Sequence, residues 1–368
     1  MTRYQPGRVI IEDAVRESPI TRNLLTRIPQ STPIEYIHDP SPLLRGEGYP
    51  PDRETVLVIK NRGRFIKPCP GSKGYLCCGY YILHLALNCP LSCSYCILQS
   101  YLNTPFLTIY ANIDDLTAEL KEFMEKRGKQ LYRIGTGEFT DSLVLDHLID
   151  YVDMVAPLFS ASSHTFLELK SKTAAIDGLT KLKHRERIVV SWSLNTPKII
   201  EKEEFRTASL EERIEAARSC ERMGYRVGFH FDPLISYPGW ENEYCGVIGK
   251  LFDRIEKKSI AWISLGALRF MPSLKKVIQS RFPKTRLLHE EFISGLDGKM
   301  RYFKPIRIEM YTRIVKEIRK YDSECFVYLC MESREVWQKS LGRAPSSDEE
   351  LTEWLDQRVE TCHGMSLR

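Results

Sequence analysis

The sequence lacks the long apolar runs that membrane and secreted proteins need. No stretch of about 18 consecutive apolar residues, the length required to cross a bilayer, occurs in the 368 residues. Residues 1–13 contain no apolar core of the kind found in secretory signals. The sequence therefore predicts a cytoplasmic protein with no membrane partner.

A disulfide framework is also excluded, because the predicted compartment is reducing. The chain nevertheless has eleven cysteines, so metal binding, redox chemistry or burial must account for them. Its 43% hydrophobic and 27% charged residues are typical of globular proteins and exclude a disordered or fibrous chain. The length fits one large α/β barrel with extra segments, or two ordinary domains.

The charge is unevenly distributed, although the net value is only +5. Residues 299–320 alone carry eight basic and two acidic side chains, and residues 269–286 carry six basic side chains and no acid. Residues 322–360 are acidic. Clustered positive charge can bind a polyanion such as nucleic acid, but a set of solvated helix faces would have the same composition.

After a proline-rich segment, residues 1–55, that is predicted to be irregular, short apolar runs alternate with helical patterns. The predicted strands are residues 80–87, 130–137, 164–170, 187–194, 225–234 and 260–270. The predicted helices are residues 113–127, 141–155, 173–184, 209–223, 241–257 and 273–281. Six strand–helix units indicate a parallel sheet covered by helices, either open or closed into a partial barrel. In both folds the functional site lies at the carboxyl ends of the strands.

The most informative motif follows the first predicted strand. Cys89, Cys93 and Cys96 have the spacing C-x3-C-x2-C, which allows three thiolates to bind three irons of a [4Fe–4S] cluster and leaves the fourth iron free of protein. A structural zinc site would need a second pair of ligands. The alternative is three buried cysteines without a ligand.

This segment resembles the radical S-adenosylmethionine superfamily, whose motif has an aromatic residue before the third cysteine, here Tyr95. The resemblance implies a [4Fe–4S] cluster that binds S-adenosylmethionine and cleaves it by one electron to a 5′-deoxyadenosyl radical. It also implies an electron donor such as ferredoxin or flavodoxin. The superfamily fold is a full or partial barrel, usually of six units.

A closer resemblance is to the spore photoproduct lyase family, whose sequence blocks occur here in order from about residue 3 to residue 320. Among them are Tyr95–Gln99, Ser193–Asn195, Gly224–Phe229 and Phe282–Thr285. That family abstracts hydrogen from a thymine–thymine photolesion in ultraviolet-damaged DNA and restores two thymines. The resemblance implies a partial (β/α)6 barrel at residues 76–285, with an N-terminal extension packed on it (1–75). The remainder (286–368) is a C-terminal α/β segment with a basic, DNA-facing part and an acidic helical tail.

The resemblance also assigns site residues. Lys170, Ser193 and Thr140 fall on positions that contact S-adenosylmethionine, and Glu138, in Gly135-Thr136-Gly137-Glu138, resembles a Gly-Gly-Glu element that holds the methionine ammonium. Tyr95 and Glu138 are also predicted as catalytic residues. Three residues of the basic segment are assigned to the substrate, and these are Arg301, Tyr302 and Lys304.

Two positions depart from the family. Where the family has a cysteine that returns a hydrogen atom to the product radical, this chain has Glu138, whose O–H bond is too strong for that role. Where the family has a second relay tyrosine, this chain has Ile97. These departures support an alternative, a radical enzyme acting on another nucleotide, RNA or a small molecule. A second alternative is a nucleic-acid-binding iron–sulfur protein without catalysis.

The remaining candidates have weaker signals. Cys69, Cys77 and Cys78 precede the first predicted strand and are candidates for a substitute hydrogen donor or a second metal site. Four further cysteines are predicted to be buried or packed, and these are Cys220, Cys245, Cys325 and Cys330. His230 and Asp232 either face the cofactor or belong to the core.

Overall fold

The computed structural model describes residues 3–45, 52–126 and 131–363. Residue 127 of a predicted helix, residue 130 of a predicted strand and the chain ends 1–2 and 364–368 lie outside that range, as do residues 46–51. The strands are β1 (Arg8–Glu12), β2 (Ile34–Ile37), β3 (Thr55–Ile59), β4 (Ile66–Pro68), β5 (Tyr81–Leu83), β6 (Ala86–Leu87), β7 (Ser92–Cys93), β8 (Leu107–Tyr110), β9 (Tyr132–Gly135), β10 (Thr165–Ser171), β11 (Ile188–Ser193), β12 (Glu204–Phe205), β13 (Arg226–Leu234), β14 (Ile260–Ala267), β15 (Arg269–Phe270), β16 (Phe292–Ser294), β17 (Met300–Tyr302) and β18 (Val327–Leu329). The α-helices are α1 (Pro19–Arg27), α2 (Ser41–Arg45), α3 (Leu98–Tyr101), α4 (Ile113–Lys126), α5 (Asp146–Ile149), α6 (Tyr151–Ala161), α7 (Asp177–Lys181), α8 (Pro197–Glu203), α9 (Leu210–Arg222), α10 (Trp240–Arg254), α11 (Pro272–Arg281), α12 (Lys304–Tyr321), α13 (Arg334–Leu341) and α14 (Asp348–His363).

The main sheet has eight strands in the order β18-β14-β13-β11-β10-β9-β5-β4. Each neighbouring pair from β5 to β18 is parallel, and β4 runs antiparallel to β5 at one edge. The sheet curls into a half-barrel, which confirms the predicted partial barrel. Strand β18, from the C-terminal segment, adds a seventh parallel strand to the six that were predicted.

All six predicted strands form, but the first and the last are each divided in two. Residues 80–87 give β5, which joins the main sheet, and β6, which pairs antiparallel with β8 in a second sheet. Residues 260–270 give β14 and then β15, which pairs with β17. The apolar runs are continuous across both breaks, and hydrophobicity alone does not reveal where a strand changes its partner.

The prediction that residues 1–55 are irregular is wrong. They contribute β1, β2 and part of β3 to a five-stranded sheet with the order β2-β1-β3-β8-β6, in which β1 pairs in parallel with β2 and with β3. Helix α1 begins with Ser18, whose hydroxyl accepts a hydrogen bond from Thr21 N at 3.1 Å, and Pro19 follows at the first helical position. The prolines in the described part of this segment therefore lie at or beside element ends and do not prevent the elements from forming.

The predicted helix over residues 141–155 is also wrong in its first part. The Asp141 side chain accepts hydrogen bonds from Leu143 N at 3.0 Å and Val144 N at 3.1 Å, so this stretch forms a turn instead of a helix. Helices α5 and α6 follow, separated by Asp150 in the left-handed conformation at φ 54°. By contrast, the helix predicted at residues 209–223 forms as α9, which begins with a Ser209–Glu212 capping box.

The acidic tail packs against the barrel. In α14, Leu351, Leu355 and Val359 are fully buried, and Arg358 donates to the carbonyl groups of Ile260 and Ala261 at the start of β14. No helix in the described ranges is both long enough and apolar enough to span a bilayer.

Candidate active site

The three motif cysteines face one cavity of about 320 Å³ at the carboxyl edge of the main sheet. Parallel strands bring their carboxyl ends to the same edge. The cavity is therefore also lined by side chains from the ends of β10, β11, β13 and β14, and these include Lys170, Ser193, His230, Asp232 and Ser264.

The cysteine loop is fixed by local hydrogen bonds. Asn88, in the left-handed conformation at φ 69°, accepts from Cys89 N through Oδ1 at 3.0 Å. Strand β7 pairs with β12, which places Cys93 opposite Glu204. Gln99 Nε2 donates to the carbonyl groups of Cys93 at 3.1 Å and Ser94 at 3.0 Å. These contacts hold the three thiols on one wall of the cavity.

The donor set fits an iron–sulfur cluster. Among the described residues, no three Cys, His, Asp or Glu side chains converge on a single metal-ion position, whereas a cubane takes one thiolate at each of three separate irons. Burial raises the pKa of all three thiols. The positive charges of Arg53, Lys172 and Arg281 act in the opposite direction on Cys96 and favour the thiolate that binds iron.

Tyr95 lies on the cavity wall and is held by a buried ionic network. Its hydroxyl donates to the Glu204 carboxylate, and Lys172 Nζ lies 5.6 Å from its ring centroid. Glu204 also contacts Arg213 Nη2 at 2.6 Å and Lys172 Nζ at 3.2 Å. Although burial opposes ionisation, the charges of Arg213 and Lys172 lower the pKa of Glu204 to about 2. This carboxylate is therefore ionised and fixes the Tyr95 ring.

Glu138 and Lys170 form an ion pair inside the cavity, with Lys170 Nζ 2.5 Å from Glu138 Oε1. Burial opposes the lysine charge, but the nearby Glu138 and Glu168 carboxylates outweigh it and raise the pKa of Lys170 above its usual value. The preceding Gly137 leaves room for this pair, because a Cβ atom there would lie 2.8 Å from Lys170 Cβ. The pair presents a positive and a negative group to a zwitterionic ligand.

Thr140 and Ser193, the other two predicted cofactor residues, line the same cavity and are buried. Among the described residues, the Thr140 hydroxyl has no hydrogen-bond partner. A buried hydroxyl without a partner is costly, so its position facing the cavity suits a polar ligand atom. Together with the Glu138–Lys170 pair, these residues form a polar wall that can hold S-adenosylmethionine.

A buried network that the sequence did not reveal lies at the floor of the cavity. Glu168 Oε1 contacts His230 Nε2 at 2.8 Å and accepts from Ser191 Oγ at 2.6 Å, and His230 Nδ1 lies 2.6 Å from Ser264 Oγ. His230 thus belongs to the core network and also lines the cavity. The spacing of Glu168 and Lys170, two residues apart on one strand face, is the signal that could have identified Glu168.

The predicted substrate residues Arg301 and Tyr302 lie on β17 rather than on a loop, and both are buried. Arg301 is paired with Asp297 at 2.7 Å and donates to Met331 O at 3.2 Å. Neither residue lines the cavity. Lys304, at the start of α12, is paired with Glu335 at 2.6 Å.

Known proteins share both the sequence pattern and the fold. The sequence profile of the family described as Spore photoproduct lyase matches residues 72–321. A curated spore photoproduct lyase of Clostridium acetobutylicum is 26% identical over 305 residues, which cover 81% of this chain and 86% of that protein. One from Geobacillus sp. (strain Y412MC61) is 28% identical over 229 residues, 61% of this chain and 65% of that protein.

Solved structures of spore photoproduct lyase share the fold. One point mutant superposes with a TM-score of 0.79 at 24% identity and covers 89% of this chain and 100% of that one. Another structure, a double mutant with bound AdoMet and dinucleoside spore photoproduct, superposes with a TM-score of 0.78 at 23% identity, again over 89% of this chain and 100% of that one. At these identities the likeness establishes the fold.

Proposed function

This chain belongs to the spore photoproduct lyase family, and from that premise we propose that it is a radical S-adenosylmethionine lyase that repairs spore photoproduct, a thymine–thymine photolesion, in DNA. The observation that carries the proposal is the convergence on one cavity of the cysteine loop and of the polar strand ends from β10 to β14. A cytoplasmic location and a low-potential electron donor such as ferredoxin or flavodoxin complete it.

Different residues would bind the cluster and the different groups of S-adenosylmethionine. Cys89, Cys93 and Cys96 would hold a [4Fe–4S] cluster, and the Glu138–Lys170 pair would hold the ammonium and carboxylate groups of S-adenosylmethionine. When bound, cluster and cofactor supply a 5′-deoxyadenosyl radical that can abstract hydrogen from carbon. Thr140 and Ser193 offer hydroxyls to the same ligand.

The other cavity residues exclude water from the site and hold the Tyr95 ring in one position. The Glu204 network holds Tyr95 against the cysteine loop, so the phenol ring has one position. Apolar and aromatic side chains surround the polar wall, and these include Leu91, Leu98, Leu268 and Phe270. Exclusion of water from such a site protects a carbon radical from quenching.

A basic surface lies beside the mouth of the cavity. Helix α11 follows Met271, which lines the cavity, and contacts the cysteine loop through Arg281, which donates to Gln99 Oε1. Lys275 and Lys276 are exposed on this helix. These positive groups, with those of the loop that follows, are suited to the phosphates of the DNA backbone.

The second candidate is a radical enzyme of the same family with a different nucleotide, RNA or a small molecule as substrate. The Glu138–Lys170 ion pair favours it, because an ionised carboxylate stands where the family has a hydrogen-donating thiol.

A two-stage assay separates the candidates. The protein is reconstituted without oxygen, reduced with dithionite and given S-adenosylmethionine, and release of 5′-deoxyadenosine is measured with the Cys89→Ala variant as the control. We expect release from the unmodified protein alone. Oligonucleotides with and without the spore lesion are then added, and thymine recovery from the lesion is expected. Cofactor cleavage with the lesion untouched would favour the second candidate, and no cleavage would leave an iron–sulfur protein without catalysis.

A further inference from the structure

A second set of thiols faces the same cavity as the motif cysteines. Cys69, Cys78 and Cys330 all line it. Cys330 differs from Cys69 and Cys78 in the residues that surround its thiol and hold it in place.

Cys330 lies directly after β18, at the carboxyl edge of the main sheet where the strand ends of the active site meet. Its backbone N donates to Leu265 O at 2.8 Å. The next residue, Met331, is in the left-handed conformation at φ 53°, unusual for a residue other than glycine. Arg301 Nη1 donates to the Met331 carbonyl at 3.2 Å. The chain therefore turns sharply at this point and keeps the thiol on the cavity wall.

The sulfur atom of Cys330 accepts a hydrogen bond from a fixed guanidinium. Arg269 Nη2 donates to Cys330 Sγ at 3.5 Å, and Asp232 fixes the guanidinium at 3.0 Å and 2.9 Å. Burial raises the pKa of Cys330; the Arg269 charge opposes this rise, and the Asp232 and Glu138 charges add to it. The group is therefore a thiol with an intact S–H bond, close to the Glu138 carboxylate.

A second side chain indicates that a polar ligand group belongs in this part of the cavity. The Tyr80 hydroxyl, on a residue only 7% exposed, has no hydrogen-bond partner in the described part of the chain and lines the cavity. It lies near Glu138 and Cys78, whose charges affect it. The glycine at 135 makes room for it, since a Cβ atom there would lie 1.4 Å from Tyr80 Oη. A buried hydroxyl without a hydrogen-bond partner is costly, so the Tyr80 hydroxyl is suited to bind a polar group of the substrate.

We propose that Cys330 is the hydrogen-atom donor of this enzyme, and this rests on the proposed function. After the cofactor-derived radical has removed one hydrogen from the lesion and the bond between the two thymines has broken, one thymine carries a carbon radical. Cys330 transfers its hydrogen atom, so that the S–H bond breaks, the C–H bond of thymine forms and a thiyl radical remains on the sulfur. One electron from the low-potential electron donor and one proton from water return the thiyl to a thiol.

The neighbouring thiols are less suited to this step. Cys77 lies within hydrogen-bonding reach of both Cys69 and Cys78, so these three engage one another. The Cys330 sulfur instead contacts a guanidinium that the Asp232 carboxylate holds in place.

The test compares two alanine variants on the same strand segment. Cys330→Ala removes the proposed donor, whereas Cys325→Ala removes a buried thiol that does not line the cavity. Each reconstituted protein is given lesion-bearing oligonucleotide in D2O, and lesion consumed, thymine recovered and deuterium in the thymine methyl group are measured. We expect full recovery with one deuterium for the unmodified protein and Cys325→Ala. For Cys330→Ala we expect continued lesion consumption, at least tenfold less thymine, and adducts with the reductant instead.

A second readout does not need turnover. Alkylation of the unmodified, reconstituted protein is followed at each cysteine by mass spectrometry, with and without dinucleoside spore photoproduct. We expect the lesion to slow alkylation of Cys330 several-fold and to leave Cys245, which lies on α10, unchanged. Equal rates at Cys330 would contradict the proposal even if the alanine variant failed to fold.

The outcomes are distinct. If the unmodified protein consumes no lesion, the proposed function fails and the donor assignment fails with it. If it restores thymine and Cys330→Ala does so equally well, only the donor assignment is overturned. A loss of recovery in Cys78→Ser but not in Cys330→Ala would overturn it in favour of Cys78.

Discussion

At the scale of single residues, the charge of Glu138 has the most direct consequence. The carboxylate cannot replace a thiol in hydrogen-atom transfer, but it is well placed for ionic recognition because Lys170 holds it at 2.5 Å. This position therefore has an ion pair where the family has a thiol. The proposed hydrogen donor, Cys330, lines the same cavity.

Replacing Glu138 by Gln should weaken the binding of S-adenosylmethionine. The change keeps the shape and removes the charge, and a hydrogen bond to a charged group contributes about 1.5–3 kcal/mol, which corresponds to roughly a tenfold to hundredfold rise in Kd. Calorimetry on the reconstituted protein under argon measures this. Glu335→Gln, which breaks the more exposed pair with Lys304, is the control, and an equal Kd in both variants would argue against Glu138 as a cofactor ligand.

The residues that sequence reasoning identified are those that carry a local signal. The cysteine spacing and the Gly-Thr-Gly-Glu turn are contiguous, so they could be read directly, and both segments reach one cavity. Glu168, Tyr80 and Cys330 come from three distant segments, and only the closure of the sheet brings them together. Arg301 and Tyr302 had a family signal but lie in a buried strand.

At the scale of elements, the Glu204 network ties β12, α9 and the cysteine loop together. Arg213, fully buried on α9, donates to Glu204 Oε2 at 2.6 Å and to Ser193 O at 2.8 Å, and Ser193 is the last residue of β11. One arginine thus links α9, the carboxyl end of β11 and β12, the partner of β7. Loss of this pair would affect the cysteine loop as well as stability.

Glu204→Gln should therefore destabilise the fold by about 3–5 kcal/mol at neutral pH, because it leaves the Arg213 charge buried without its partner. The Glu204 pKa is lowered from its ordinary 4.5 to about 2. Its contribution is thus complete above about pH 4.5 and is lost as the pH falls toward 2. Urea unfolding at several pH values measures both effects. In the variant this part of the acid dependence should flatten, whereas Glu211→Gln, which breaks an exposed pair with Lys250, should leave it intact.

Helices and strands were predictable from the sequence where a single physical signal, such as a continuous apolar run, determined them. The central strands are continuous apolar runs that are buried on both faces, and the pattern located all six. The N-terminal strands are four or five residues long and lie between prolines, so composition suggested an irregular segment. The turn at Asp141 replaced a predicted helix because side-chain oxygens competed for the backbone donors.

At the scale of the whole molecule, positive charge lies beside the cavity mouth, while the acidic tail is folded onto β14. The basic and acidic stretches of the sequence therefore also lie in different places on the molecule. However, several basic side chains of the segment 299–320 form contacts inside the protein. Arg301 and Arg307 are buried in ion pairs, so the exposed lysines of α11 carry more of the proposed docking surface than the sequence suggested.

Reversing the charge of Lys275 and Lys276 together should weaken DNA binding and lower its dependence on salt. Each phosphate that the protein no longer neutralises reduces the slope of log K against log salt by about 0.9 for a duplex. Fluorescence anisotropy with a labelled duplex at several salt concentrations measures both quantities. Lys257 and Lys258, an exposed pair just before the amino end of β14, serve as the control. Equal effects of the two double variants would exclude α11 as the docking surface.

The five-stranded N-terminal sheet has a consequence for how the enzyme is made. All its strands lie between residues 8 and 110, and the three motif cysteines lie between its last two strands in the chain, β6 and β8. The ribosome has therefore delivered the N-terminal sheet and the three cysteines before it synthesises β9, the second parallel strand of the half-barrel. Strand β12, whose pairing with β7 completes the support of the cysteine loop, follows later. We expect iron delivery to meet these thiols while the walls that later bury them are still being translated, so that cluster insertion precedes barrel closure instead of requiring the finished barrel to open.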